Sequence, residues 1–213
     1  MILINPEPGW NGQRLNMIIE KAGKAAAQES GGGVFFKLVH RATVQRLPWL
    51  VICLLNGLVA AGIVTRFEST VHSMVDLAVF MPALIGMGGN AGTQTLGVTV
   101  RLLALNQVRV KHIFLHVLRE AAIGFLLGLA NGLLVGIIAW LWKDSLILGL
   151  IVGLAMWITL AIGTSVGVFV PMAFKYLGLD PAVASGPFIT TTVDILGVFI
   201  YLYLANIFLQ IFR

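Results

Sequence analysis

Apolar residues follow one another in five long stretches, and the short segments between them hold most of the charged side chains. The stretches cover about 47–66, 73–99, 113–142, 146–174 and 183–211. Each supplies the roughly 20 helical residues that cross a bilayer core. The pattern predicts an all-α, polytopic membrane protein with five transmembrane helices in one domain, 47–213. Before it, residues 1–46 are predicted to form a cytoplasmic segment, with a short helix over 11–29 and a surface or linker helix over 34–47.

Composition supports this class of protein. Hydrophobic residues make up 58% of the chain and charged residues 11%, with a mean hydropathy of +0.94, whereas soluble domains carry about 25% charged residues. The first residues lack the apolar core and cleavage site of a secretory signal. The net charge of +5 follows the loops, which excludes nucleic acid as a partner. Cys53 is the single cysteine and cannot form a disulfide within the chain.

The basic residues orient the predicted helices. Eleven Lys and Arg residues fall on one side of the membrane: Arg14, Lys21, Lys24, Lys37, Arg41, Arg46, Arg101, Arg109, Lys111, Arg119 and Lys175. Three fall on the other: Arg66, Lys143 and Arg213. By the positive-inside rule, we expect a multi-pass protein of the cell (inner) membrane, with a cytoplasmic N-terminus and an extracytoplasmic C-terminus.

Glycines in the third and fourth stretches have the spacing of helix packing motifs. The third contains a ladder on one helix face, and the fourth contains two pairs: Gly124, Gly128, Gly132 and Gly136; Gly149 with Gly153, and Gly163 with Gly167. Small residues at intervals of four let membrane helices approach closely. Because these glycines lie among Leu, Ile and Val, we interpret them as packing residues.

The second stretch has a different composition, because MPALIGMGGNAGTQTLG at 81–97 mixes glycine with polar residues. Side-chain amides and hydroxyls in hydrocarbon need partners, and Asn90 is the most central of them. We interpret this stretch as the wall of a pore or binding site rather than as packing alone. Pro82 and the glycines at 86–89 also allow a broken helix, with Asn90 capping its second half.

Of the nine acidic residues, Asp194 lies deepest in an apolar stretch. It is about eleven residues past the start of the fifth, or roughly 16 Å along a helix, near the middle of the bilayer. No Lys or Arg is placed to neutralise it, so it is protonated, faces water or has a mobile cation as its counter-ion. Helical spacing puts small and hydroxyl residues on its face: Gly186, Thr190, Thr191 and Gly197.

Facing walls from a two-fold dimer would bring two Asp194 carboxylates together, an arrangement that suits a divalent cation. The available ligands are hard oxygens, which favour Mg²⁺, Ca²⁺ or Mn²⁺ over soft metals. Mg²⁺ keeps much of its hydration shell, so sparse polar walls suit a largely hydrated ion. The predicted membrane region has no Ser/His or paired-Asp arrangement typical of catalysis, and His112 with His116 is interpreted as an interfacial pair. We therefore do not expect an enzyme.

Three segments carry a family resemblance. MPALIGMGGNAGTQTLGVTVRLLAL (81–105) resembles the most characteristic segment of the MgtE family of magnesium channels; 177–202 resembles its last membrane helix and 47–68 its first. The resemblance implies a homodimer in lipid, with five helices per subunit and a pore on the dimer axis lined by the second and fifth. It also implies that Asp194 binds Mg²⁺, that Asp180 lies at the cytoplasmic pore mouth and that Asn90 belongs to the site.

The resemblance has a limit at the N-terminus. Typical members carry a large cytoplasmic N-terminal domain and a pair of CBS domains that close the pore, and only 46 residues stand in their place here. Their gating therefore does not carry over, and the chain is either a fragment or, as the Met1 start favours, a naturally short member. We expect a channel for Mg²⁺ influx, with Mn²⁺, Co²⁺ or Ca²⁺ also possible. The alternative is a proton- or Na⁺-coupled transporter, and a third class is a membrane scaffold or an intramembrane enzyme.

Overall fold

A computed structural model describes Glu20 and the ranges 32–105, 113–178 and 186–212. All regular structure in these residues is helical, which agrees with the predicted all-α class. The helices are α1 (Gly32–Arg66), α2 (Glu68–Ser73), α3 (Leu77–Ala104), α4 (Ile113–Lys143), α5 (Leu146–Tyr176) and α6 (Gly186–Ile211). The helix predicted over 11–29 falls almost entirely outside the described residues.

The chain divides into two units, Met1–Pro48 and Trp49–Arg213. The boundary falls inside α1, a single helix of 35 residues that contains both the basic segment predicted at the membrane surface and the first apolar stretch. The side chains discussed below all belong to the second unit.

Among the described residues, four helices are long and apolar enough to cross a membrane, judged by length and composition: Phe36–Arg66, Phe114–Lys143, Leu146–Tyr176 and Gly186–Ile211. They correspond to the first, third, fourth and fifth predicted stretches. Helix α3 has 28 residues, about 42 Å at 1.5 Å per residue, so it is long enough to span. The glycines and polar side chains in the middle of α3 lower its mean hydropathy, so α3 is less apolar than those four helices. A fifth crossing, by α3, stays a prediction.

Helix α5 is the centre of the second unit and packs against α3, α4 and α6. The contact with α4 depends on glycines: a Cβ at Gly132 would lie 2.5 Å from the Gly153 carbonyl oxygen, and one at Gly149 would lie 2.6 Å from that of Gly136. No real Cβ tolerates such distances, so these positions must lack a side chain. The interpretation of the α4 glycines as packing residues is confirmed.

Two polar contacts hold the start of α3. The Tyr201 hydroxyl on α6 donates a hydrogen bond of 3.0 Å to the Leu77 carbonyl oxygen, and both residues are fully buried. The Lys143 ammonium at the end of α4 lies 2.7 Å from an Asp76 carboxylate oxygen. The start of α3 and the end of α4 therefore meet at the same end of the unit, around a core that includes Phe80 and Leu84.

Candidate functional site

Helix α3 is continuous from Leu77 to Ala104, although it contains Pro82. The alternative of a broken helix capped by Asn90 is therefore not what forms. Asn90 lies within the helix with its side chain exposed, and its backbone carbonyl accepts a hydrogen bond of 3.0 Å from the Thr93 hydroxyl. A single proline is compatible with a membrane helix when neighbouring helices support it.

The glycines of α3 fall on two opposite faces. One face is buried and contains Gly88, Gly89 and Gly92. The other is exposed and contains Gly86, Asn90, Gln94 and Gly97. A Cβ built at Gly86 or Gly97 meets nothing within 4 Å. The stretch therefore combines a packing face with an open polar face, which we call the α3 polar stripe (Gly86, Asn90, Gln94 and Gly97).

The buried face of α3 packs against glycines of α5. A Cβ at Gly163 would lie 2.6 Å from the Gly88 carbonyl oxygen, and one at Gly167 would contact that of Gly92. A Cβ at Gly88 would lie 2.5 Å from the Thr159 methyl group. Three of the five glycines in 81–97 therefore lie on the packed face, a role that the sequence analysis ranked below a pore lining for this stretch.

Gly89 brings α3 against α6 at the level of Asp194. A Cβ at Gly89 would lie 2.5 Å from the Thr190 methyl carbon and 3.2 Å from Oδ1 of Asp194. The absence of a side chain at this position creates the space that the carboxylate occupies. Sequence reasoning predicted that Asp194 and the glycine-rich stretch line the same pore, and the structure places Gly89 beside the Asp194 carboxylate.

Asp194 is half-buried and lies in the third turn of α6. Its Oδ1 is fully buried and has no hydrogen-bond partner among the described residues, and none of their Lys, Arg or His side chains forms an ion pair with it. Since a buried, unsatisfied acceptor is costly, this oxygen is available to a ligand. In the described part of the chain, only the Thr159 hydroxyl on α5 shares this condition.

The other predicted residues of α6 lie on the turns before Asp194 and differ in their hydrogen bonds. Thr190 donates to the Gly186 carbonyl oxygen at 3.0 Å, so its lone pairs remain free to accept. Thr191 donates to the Pro187 carbonyl oxygen at 3.0 Å and accepts from the Asn56 amide. Gly186 is half-buried and contributes through that carbonyl.

Asn56 on α1 is a polar contact that the sequence analysis missed. Its Nδ2 donates to the Thr191 hydroxyl oxygen at 3.1 Å. The signal was a lone amide in an otherwise apolar stretch, LLNGLVAAG. Asp180, the residue expected at the pore mouth, lies outside the described residues, as does His112 of the interfacial pair.

The site offers hard oxygen ligands: a carboxylate, hydroxyls and helix carbonyls. Within the described ranges, no group of three or more His, Cys, Asp or Glu side chains comes together to hold a metal ion. One copy of the chain thus supplies few anionic ligands to any cation. The apolar helices and their packing define a helical, multi-pass membrane protein with an unpaired carboxylate on a candidate spanning helix.

Comparison with known proteins identifies the family. The MgtE family, described as "Divalent cation transporter", matches residues 81–204, which include α4 and α5 and most of α3 and α6. The chain belongs to the MgtE family.

Curated relatives agree with this assignment. "Magnesium transporter MgtE" of Bacillus subtilis (strain 168) is 35% identical over 92% of this chain and 44% of its own length. The protein of the same name from Enterococcus faecalis is 39% identical over 81% of this chain and 38% of its own length. The one from Thermus thermophilus is 35% identical over 78% of this chain and 37% of its own length. The chain spans less than half the length of these relatives.

Proposed function

We propose that this chain forms a path for divalent cations across the membrane, with Mg²⁺ as the substrate and Asp194 as the central ion site. The observation that carries the proposal is the buried, unpartnered Oδ1 of Asp194. An ionised carboxylate in a membrane helix is costly without a partner, and a passing cation would be that partner. The relatives are named magnesium transporters, which supports Mg²⁺ as the ion.

The α3 polar stripe supports a pore between two copies of the chain. In a single chain the amides of Asn90 and Gln94 are exposed, where lipid could not satisfy them. A two-fold axis beside α3 and α6 would turn both stripes and both Asp194 carboxylates toward a shared, water-filled path. The exposed Gly86 and Gly97 leave room for water beside the stripe. This homodimer, with Asn90 and Thr190 as further oxygen ligands, completes the proposal.

The membrane potential is sufficient to drive the ion inward. Each charge that crosses gains about 2.3 kcal/mol per 100 mV, and a divalent ion gains about twice that. A largely hydrated Mg²⁺ needs few direct protein ligands, which suits a site with one carboxylate per chain. Influx therefore requires no coupled ion, and a channel is the simplest mechanism for this geometry.

Flux into liposomes tests the proposal. Purified protein is reconstituted with a Mg²⁺-sensitive dye inside, and uptake is followed with the potential negative inside. Asp194→Asn keeps the side-chain size and removes the charge, so we expect Mg²⁺ uptake to fall to the level of empty liposomes. Asp144→Asn is the matched control, because Asp144 is exposed and has a φ of 48°, a conformation that Asn accepts readily.

Full uptake by Asp194→Asn would refute the assignment of the ion site. The coupled-transporter alternative is distinguished in the same vesicles. A channel responds to the membrane potential without any pH or Na⁺ gradient. Electroneutral Mg²⁺ uptake that requires one of those gradients would instead establish the alternative.

A further inference from the structure

A second polar cavity lies between α3, α4 and α5, away from Asp194. Its volume is about 230 Å³, and its polar lining consists of Thr99, His116, Arg119 and Glu120. Apolar side chains, among them Leu102, complete the wall. We call it the Arg119 cavity.

The cavity is at the basic end of the helices. The Lys175 ammonium at the end of α5 donates a hydrogen bond of 3.1 Å to the Leu103 carbonyl oxygen near the end of α3. Leu103 packs with Val168 and Met172 of α5 and with Val117 of α4 in one apolar cluster. The ends of α3 and α5 and the start of α4 therefore converge here, on the side that the positive-inside rule places in the cytoplasm.

The polar groups of the cavity have no partners within the described part of the chain. Thr99 is only 7% exposed, yet its hydroxyl forms no hydrogen bond there. Arg119, Glu120 and His116 form no ion pairs with other described residues. Arg119 and Glu120 are adjacent in sequence, so a helix does not bring their side chains face to face. A hydroxyl and two opposite charges without partners among the described residues thus line one cavity, where a ligand with polar groups of its own can pair with them.

The cavity wall also restricts the ligand. Val98 is 54% exposed and Leu102 is half-buried, and both line the same cavity as the charged side chains. A small inorganic ion would leave that apolar surface uncovered. A molecule with a charged head and an aliphatic body would cover both, and phospholipids of the cytoplasmic leaflet have this form.

We propose that the Arg119 cavity binds the phosphate headgroup of a membrane phospholipid. The Arg119 guanidinium accommodates phosphate oxygens in two parallel hydrogen bonds, and Thr99 and His116 donate further ones. The Glu120 carboxylate accepts from an ammonium group when the headgroup carries one, as ethanolamine does. The glycerol and the first acyl carbons lie against Val98 and Leu102.

Native mass spectrometry of the full chain in detergent tests this site. The protein is titrated separately with phosphatidylglycerol, phosphatidylethanolamine and inorganic phosphate. Arg119→Gln is expected to weaken the binding of both lipids at least tenfold. Arg119→Lys is expected to weaken it less, because lysine keeps the charge but cannot form the two parallel hydrogen bonds. Arg101→Gln is the matched control, since Arg101 is an exposed cation of α3 outside the cavity lining. It is expected to leave lipid binding unchanged.

Two further arms separate the possible ligands. Glu120→Gln is expected to weaken the binding of phosphatidylethanolamine severalfold and to leave the binding of phosphatidylglycerol unchanged. Equal weakening of binding for both lipids would overturn the contact between Glu120 and the ammonium group. Inorganic phosphate that binds as tightly as the lipids would overturn a lipid ligand. Equal effects of Arg119→Gln and Arg101→Gln, or no effect of either, would overturn the site. Circular dichroism confirms that each variant keeps its helix content.

Discussion

Gly89→Ala tests the contact that connects the glycine-rich stretch to the ion site. The new Cβ would lie 2.5 Å from the Thr190 methyl carbon, 3.2 Å from the Thr190 Cα and 3.2 Å from Oδ1 of Asp194. Carbon atoms normally approach to about 3.5–4.0 Å, so α3 and α6 must separate by about 1 Å. Overpacking of this kind costs about 1–3 kcal/mol. If the same strain must be overcome when Mg²⁺ binds at Asp194, the affinity for Mg²⁺ falls by roughly 5- to 150-fold.

The assay is the initial rate of Mg²⁺ uptake into liposomes over a range of Mg²⁺ concentrations, with thermal unfolding in detergent measured in parallel. Gly62→Ala is the control, because a Cβ there meets nothing within 4 Å. Thr190→Ser removes the methyl group nearest to the new Cβ and keeps the hydroxyl, so it is expected to restore part of the rate in the double variant. Wild-type uptake and wild-type stability in Gly89→Ala would refute the close approach of α3 and α6.

Three predictions concern the stability of the unit, each measured by thermal unfolding in detergent. Tyr201→Phe removes the buried hydrogen bond to the Leu77 carbonyl oxygen and is expected to lower the free energy of unfolding by about 1 kcal/mol; an unchanged midpoint would contradict it. Thr159→Val replaces a buried hydroxyl that has no partner in the described ranges with a methyl group of similar size, so stability is expected to stay equal or rise; a large loss would show a contact that the structure lacks. Lys143→Met breaks a partly exposed ion pair with Asp76 and is expected to cost less than about 1 kcal/mol, with a smaller effect at high salt.

The helices themselves could be predicted from the sequence to within a few residues. The stretches 113–142 and 146–174 became Ile113–Lys143 and Leu146–Tyr176, because in lipid each backbone group must find its hydrogen bond inside its own segment. The surface segment before the first stretch was harder to assign. It belongs to the same helix as the first stretch, because α1 runs from Gly32 to Arg66 through Pro48, and the mixed basic and apolar composition of 34–47 does not reveal this.

The glycine-rich stretch shows where sequence reasoning ends. Gly86 and Gly89 stand three residues apart in the same motif, yet one faces open space and the other packs against α6. No local property distinguishes them, because the neighbouring helix, not the residue itself, determines which face is buried. The same holds for Asn56 and Thr191, whose hydrogen bond joins positions 135 residues apart.

The sequence by itself determined the all-helical class, the family and the isolation of Asp194, because these depend on apolar length, on motif identity and on the distribution of charge along the chain. The tertiary structure decided what that isolation means. It placed Gly89 against the carboxylate and left Oδ1 buried without a partner in the described part of the chain. It also divided α3 into a packed face and a polar one. Each of these features depends on contacts between helices that are distant in sequence. Close packing of side chains determines those contacts, and no local sequence pattern specifies them.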